Sequence, residues 1–163
     1  MILEIKKFPD KILRKKGAVI KEVDREIKEL AHSMVDTMYF YKGVGLAAPQ
    51  VGESKRIVVV DIGDGPEIYL NPKIVKKSGK AILEEGCLSF PDIFLNIKRA
   101  HKIQLEALSL KGRLIKKKVE GIAACVLQHE IDHLDGILMI DRLSLGQKIQ
   151  RRIKDLFPRK SQP

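Results

Sequence analysis

Cysteine is scarce: Cys87 and Cys125 are the only two among 163 residues. Two thiols cannot build a disulfide framework, and they suit a reducing compartment. Long apolar runs are missing too, and nothing approaches the roughly 20 residues of a membrane-spanning helix. The opening stretch MILEIKKFPDKILRKKG has no apolar core of the kind a secretory signal needs. The expectation is a cytoplasmic protein with no membrane partner. Repeats, low-complexity tracts and long linkers are also lacking, which leaves a single domain over residues 1–163. At 18.4 kDa such a domain can bury its core without covalent staples.

Acidic residues are outnumbered, with 21 Asp and Glu against 31 Lys and Arg, for a formal net charge of +10. A polyanionic partner is compatible with that balance. A solvated, lysine-rich surface explains it more simply, and composition alone favours that reading.

Apolar residues at Ile27, Leu30, Ala31, Met34, Val35 and Met38 recur at helical spacing, so Asp24 to Tyr41 reads as an amphipathic helix. Asp24 is placed to cap it and Gly43 lies just past its end. RIVVVDI, Arg56 to Ile62, has the β-branched composition of a buried strand. Further strands are expected over Ile68–Val75, Ala81–Glu84, Ile103–Leu110 and Leu114–Val119, with a hairpin turn at Lys111-Gly112. A second helix fits Ile122–Leu134, closed by Gly136. Ser144 can cap a third, running to about Phe157 before Pro158. This order is α+β, without the alternation of a parallel-sheet fold.

Chemistry concentrates in QHEIDHLDG, Gln128 to Gly136. On a helix His129 and His133 stand one turn, about 5.4 Å, apart on one face, so both imidazoles can reach one ion. Glu130 projects beside them, within reach of a water on that ion. The preceding AACVL is apolar, so the helix is buried, and buried histidines need partners. Cys125 is a poor third ligand, because it lies eight residues, about 12 Å along the axis, from His133. It reads instead as core or as the lining of an apolar pocket. Cys87 is better placed, in EEGCLSFP, where Gly86 permits an unusual turn and Pro91 ends a continuing strand. His32, on the first helix, and His101, among basic residues, read as structural or solvated. Three ligands, Cys87, His129 and His133, leave a fourth position open, as catalytic sites do.

YKGVGLAAPQVG, Tyr41 to Gly52, is the other unusual stretch. No GK[ST] follows it, which excludes a phosphate loop. Gly43, Gly45 and Gly52 around Ala47 and Ala48 suggest a backbone that something approaches closely. Gln50 is a side-chain amide donor set in that apolar loop.

GVGLAAPQ, EGCLS and QHEIDH, in that order, resemble the motifs of the peptide deformylase family, and the resemblance spans essentially the whole chain. It implies antiparallel or mixed sheets around a central metal-binding helix, with an N-terminal and a C-terminal helix. It implies Cys87, His129 and His133 as metal ligands, Glu130 as general acid and base, and Gln50 with the Leu88 N–H as oxyanion donors. Gly45 matches a glycine that lines the substrate cleft. The implied reaction removes formate from the formyl-methionine of newly made polypeptides. The implied cofactor is one divalent ion, Fe2+ physiologically, with Zn2+, Ni2+ or Co2+ able to substitute. One thiolate beside two imidazoles suits several such ions, so ligand type does not choose among them.

Val44, Leu83, Ile122, Cys125 and Val126 are candidate walls for the methionine side chain. Glu85, Arg99 and Asp132 are candidates to hold the ligand histidines from behind. Phe94 departs from many bacterial relatives, which carry arginine or a small residue in that part of the cleft wall. The basic helix and tail of residues 144–163 would be a solvated face or a contact with ribosomal RNA. Two other functions use the same motifs. A zinc-type metallopeptidase would draw its third ligand downstream, yet no histidine follows His133. A basic binding module would close a structural metal site with Cys125 as fourth ligand.

Overall fold

A computed structural model describes residues 1–149. Helix α1 (Arg25–Phe40) starts where Asp24 Oδ1 accepts the Ile27 N–H at 2.8 Å. Its stripe of Ile27, Ala31, Met34 and Met38 is buried. Strands β1 (Gly45–Ala47), β2 (Ile57–Val60), β3 (Glu67–Ser78), β6 (Lys102–Leu108) and β7 (Leu114–Glu120) form one sheet in the order β1-β2-β3-β6-β7. Strands β4 (Ala81–Cys87) and β5 (Phe90–Arg99) form a separate two-stranded sheet. Every pairing between these strands is antiparallel.

Helix α1 packs on one face of the larger sheet, against Leu46, Ile57, Val59 and Leu70. Helix α2 (Gly121–Leu134) packs on the other, against Ala47, Val58, Val60, Tyr69, Ile103 and Leu105. Strand β2 is therefore covered on both faces, which is why its four residues are all apolar and all buried. Helix α2 is the central element, and all but Val126 from Ala124 to Leu134 are buried. Gly136, at φ +70°, ends it. A β-carbon there would lie 2.4 Å from the Arg14 carbonyl oxygen, so only glycine lets the N-terminal segment pass this close.

Strand β5 adds to the expected strands, none of which covers residues 90–99, and three further details differ from the expectations. Residues 45–47 are a strand rather than loop, because the main chain of GLA pairs with β2. Pro91 does not end a strand: β4 turns through Leu88-Ser89 into β5, and a two-stranded sheet tolerates proline because its outer edges need no donor. Gly86 has no left-handed backbone. Its role is space, since a β-carbon there would stand 2.9 Å from the ring of Phe94. The expected turn at Lys111-Gly112 is present, with Gly112 at φ +71°. Ser144 does cap a helical turn over residues 145–149, its Oγ accepting the Gln147 N–H at 3.3 Å. The rest of the expected third helix and the basic tail lie outside the described residues. Among the described residues no helix is long and apolar enough to cross a membrane.

Candidate metal centre and active site

Three elements meet at the site. Helix α2 carries His129, Glu130 and His133; the end of β4 carries Cys87; and the 3-10 turn Ala48–Val51 that follows β1 carries Gln50. The ligand atoms of Cys87, His129 and His133 all lie within 4.8 Å of one another. Cys87 Sγ is 3.3 Å from His133 Nε2. Bond lengths of about 2.0–2.3 Å to a shared ion bring N and S ligands to comparable separations, so the group fits a single ion. Cys125 stands outside it. Its thiol is buried, and that burial, reinforced by the Glu85 charge, raises its pKa, which leaves it an inert core thiol. A closed four-ligand structural centre therefore does not form among the described residues.

The two histidines differ in their electrostatics. Burial first, then the charges of His129 and Arg99, push the His133 imidazole well below its usual pKa, so it is neutral and able to bind metal. Burial acts on His129 in the same direction. There, hydrogen bonds with Cys87 and Glu85 win, and its pKa rises to about 10, so without an ion the ring holds a proton that a bound metal would displace. Glu85 Oε2 lies 2.8 Å from His129 Nδ1, which leaves the other ring nitrogen to the metal cluster. Glu85 is itself held by Arg99, and Arg99 Nη1 donates to Asp132 at 2.8 Å. The three residues expected to stand behind the histidines thus form one buried network.

Glu130 is buried among these groups, and burial raises its carboxyl to about 7, helped by Glu85 and Asp132 and opposed by His129 and Arg99. Its Oε2 and His133 Nδ1 are buried atoms without a protein partner among the described residues. An unpaired carboxylate oxygen beside three converging ligands is what a proton-transfer group at a metal centre would leave. Gln50 is 1% exposed and tightly held. Its Oε1 accepts the Ala47 N–H at 2.8 Å, which turns Nε2 toward Cys87 Sγ at 3.5 Å and Ser89 Oγ at 3.4 Å.

These groups open onto a cleft of about 560 Å3. Tyr41, Val44 and Gly45 form one wall, and Gly86, Leu88 and Phe94 the other, with Glu130 at the floor. Among the described residues strand β1 pairs only with β2, so its second edge is unpaired there, where Val44 and Gly45 meet the cleft. Of the other expected pocket residues, Leu83, Ile122, Cys125 and Val126 are not among those lining this opening. Leu83 lies on β4, two residues from Glu85 and on the same face of the strand. Ile122, Cys125 and Val126 precede His129 by seven, four and three residues, along the same side of α2. His32 and His101 are both exposed and do not belong to the cluster, in keeping with a solvated role.

Sequence reasoning missed Ser89, fully buried beside Gln50, and Gln128, whose amide ties Ala100 to α2. It also missed Arg142, which donates to Asp132 from outside the helix. Ser89 and Gln128 lie within EGCLS and QHEIDH, so the signal for them was present but their partners were not legible, and Arg142 carries no motif of its own.

The chain matches the family model described as polypeptide deformylase over residues 2–148. A peptide deformylase of Dictyoglomus thermophilum is 50% identical over 142 residues, covering 87% of this chain and 93% of the relative. The crystal structure of peptide deformylase from Thermotoga maritima superposes with a TM-score of 0.87 at 44% identity, covering 88% of this chain and 99% of that one. A Met-Ala-Ser-bound structure from Acinetobacter baumannii, at 32% identity, gives a TM-score of 0.84 over 88% and 99% of the two chains. With its motifs in one cleft and these likenesses across most of its length, the chain belongs to the peptide deformylase family.

Proposed function

We propose that this deformylase binds the N-terminus of newly made polypeptides along its cleft and hydrolyses the formyl amide of their first methionine, releasing formate. The observation that carries the reading is the three-ligand group of Cys87, His129 and His133 with the unpaired Glu130 Oε2 beside it. An open three-ligand group favours catalysis over a structural role.

The site residues divide the work as follows. Cys87, His129 and His133 would hold one divalent ion, which supplies Lewis acidity toward water and toward a carbonyl oxygen. Glu130 takes a proton from the attacking water and returns it to the departing amine. Gln50 Nε2 and the Leu88 N–H donate to the oxygen that gains charge as the formyl carbon becomes tetrahedral. The Gln50 amide is already oriented by Ala47, so little reorganisation is needed. Gly45 keeps the space beside Glu130 clear, because a β-carbon there would lie 2.5 Å from Glu130 Oε1. A narrow space at that point admits a carbonyl bearing hydrogen and rejects larger acyl groups.

An extended peptide can add to the free edge of β1, as strands add to exposed sheet edges. The Acinetobacter baumannii relative bound to Met-Ala-Ser supports a tripeptide-sized occupant. Val44 then borders the first residue at the rim. The methionine side chain is assigned to Leu83 on β4 and to Ile122, Cys125 and Val126 on α2, apolar residues suited to an unbranched chain. Fe2+ is the ion proposed in the cell, with Zn2+, Ni2+ or Co2+ as substitutes. Cytoplasmic location follows from the substrate, and ribosome contact through residues 144–163 is proposed from their charge. Formate release from a formyl-methionyl peptide by anaerobically prepared, iron-loaded protein is the test. Absence of release with a full metal complement would refute the assignment.

A further inference from the structure

His129 is held from behind by a chain of ion pairs that leads out of the cleft to the surface. Glu85 Oε2 lies 2.8 Å from His129 Nδ1. Arg99 binds Glu85 through Nε and, at 2.9 Å, through Nη2. Its Nη1 donates to Asp132 Oδ2 at 2.8 Å. Arg142 closes the chain, donating from Nε to Asp132 Oδ2 at 2.9 Å and from Nη2 to Oδ1. The side chains of Arg99, Glu85 and Asp132 are 4%, 9% and 11% exposed, whereas Arg142 is 38% exposed. The outermost link is thus the accessible one.

Charge explains why that link matters. With the His129 imidazole neutral, as a metal ligand must be, two carboxylates and one guanidinium in the buried part of the chain sum to a net negative charge, and Arg142 brings the set to neutrality. Arg99 is shared between two acids. Without Arg142, the Oδ1 of Asp132 loses its donor and its uncompensated charge draws Arg99 away from Glu85. Glu85 would then hold the His129 imidazole less firmly, and such outer contacts set ring orientation and ligand basicity.

We propose that Arg142 is a positioning residue of the metal centre, acting through Asp132, Arg99 and Glu85 to fix His129. The proposal rests on the metal-dependent deformylase reading above. Arg142 ends the 3-10 turn Met139–Arg142, two residues before the Ser144 cap. Its neighbour Asp141 is bound by Arg14 and accepts the Leu138 N–H at 2.8 Å. Gln147 Nε2 donates to the Asn96 carbonyl of β5 at 2.9 Å. The segment leading into the C-terminal helix is therefore anchored on both sides of Arg142, and it delivers the guanidinium to Asp132.

The test uses the full chain loaded with Co2+, as parent, Arg142→Met and Arg142→Lys. Three quantities are read: the rate of cobalt release to a chelator, the visible cobalt absorption, and kcat and KM for formate release. Outer contacts of this kind change metal affinity by about 10- to 100-fold. Arg142→Met should release cobalt about tenfold faster, alter the absorption bands and lower kcat at an unchanged KM. Arg142→Lys should recover part of each effect, having the charge without the two-pronged geometry. A purely structural role would lower the melting temperature and leave cobalt spectrum and release rate as in the parent. A folded Arg142→Met protein with those parental properties overturns the proposal, and Arg142→Gln is read the same way if the methionine variant does not fold. A parent that binds cobalt yet releases no formate would refute the deformylase reading instead, and the cobalt release rates would still judge Arg142.

Discussion

Replacing Gly45 by alanine is a small change with a calculable consequence. The added β-carbon would lie 2.5 Å from Glu130 Oε1 and 3.0 Å from both Cδ and Cγ. Ordinary van der Waals contact begins near 3.4 Å, so the carboxylate must retreat by about 0.9 Å. Gly45 does not have a positive φ, so alanine is tolerated by the backbone and strand β1 should survive. Glu130 is confined by its own burial, so it cannot yield without leaving its working position. A misplacement of about 1 Å at a reacting group costs on the order of 100-fold in rate, equivalent to roughly 2.7 kcal/mol. Gly45→Ala should therefore keep its metal and its fold while kcat for formate release falls about 100-fold. Steady-state kinetics, metal analysis and thermal melting measure the three parts. Combining it with Glu130→Asp, which shortens the acid, should give a loss smaller than the two separate losses multiplied. A kcat within threefold of the parent, or strictly multiplicative losses, would refute the steric argument.

Arg99→Met would leave Glu85 and Asp132 buried without their shared cation, and urea titration should show a loss of about 3–5 kcal/mol. Gln50→Leu removes an oriented donor and should lower kcat by roughly 10²- to 10³-fold with metal content unchanged, as single-turnover formate release would report. Protein stripped of metal should show the Glu130 carboxyl as a pH-dependent liability. Its folded pKa of about 7 lies above the unfolded value of 4.5, so the native state holds the extra proton between those values. The Glu130 contribution to stability should therefore fall as pH rises through that window, by about 3 kcal/mol in all, against the opposite slope of His133, so the difference between parent and variant is what is read. Glu130→Gln should flatten that slope in chemical denaturation, and a parental slope in the variant would refute the assignment.

Much of the architecture was readable from local patterns. Asp24 and the stripe from Ile27 to Met38 mark α1, and the IVVV of β2 reports cover on both faces. The spacing of His129 and His133 places two ligands on one turn because a helix repeats every 3.6 residues or so. Strand β1 was not readable, since GLA becomes a strand only by pairing with β2. Gly86 was read as a turn residue, yet its bareness serves the ring of Phe94, eight residues onward.

Taken alone, the sequence determined the helix that carries His129 and His133, the choice of Cys87 as candidate third ligand and the order of the motifs, because each rests on short-range periodicity or on a rare residue type in an unusual setting. Only the tertiary structure decided how those motifs meet. It set Gln50 Nε2 toward Cys87, placed the backbone of Gly45 against Glu130, and joined His129 to Arg142 through Glu85, Arg99 and Asp132. Contacts between residues tens of positions apart depend on the packing of β1, β4 and α2 around one another, and no local pattern encodes that packing.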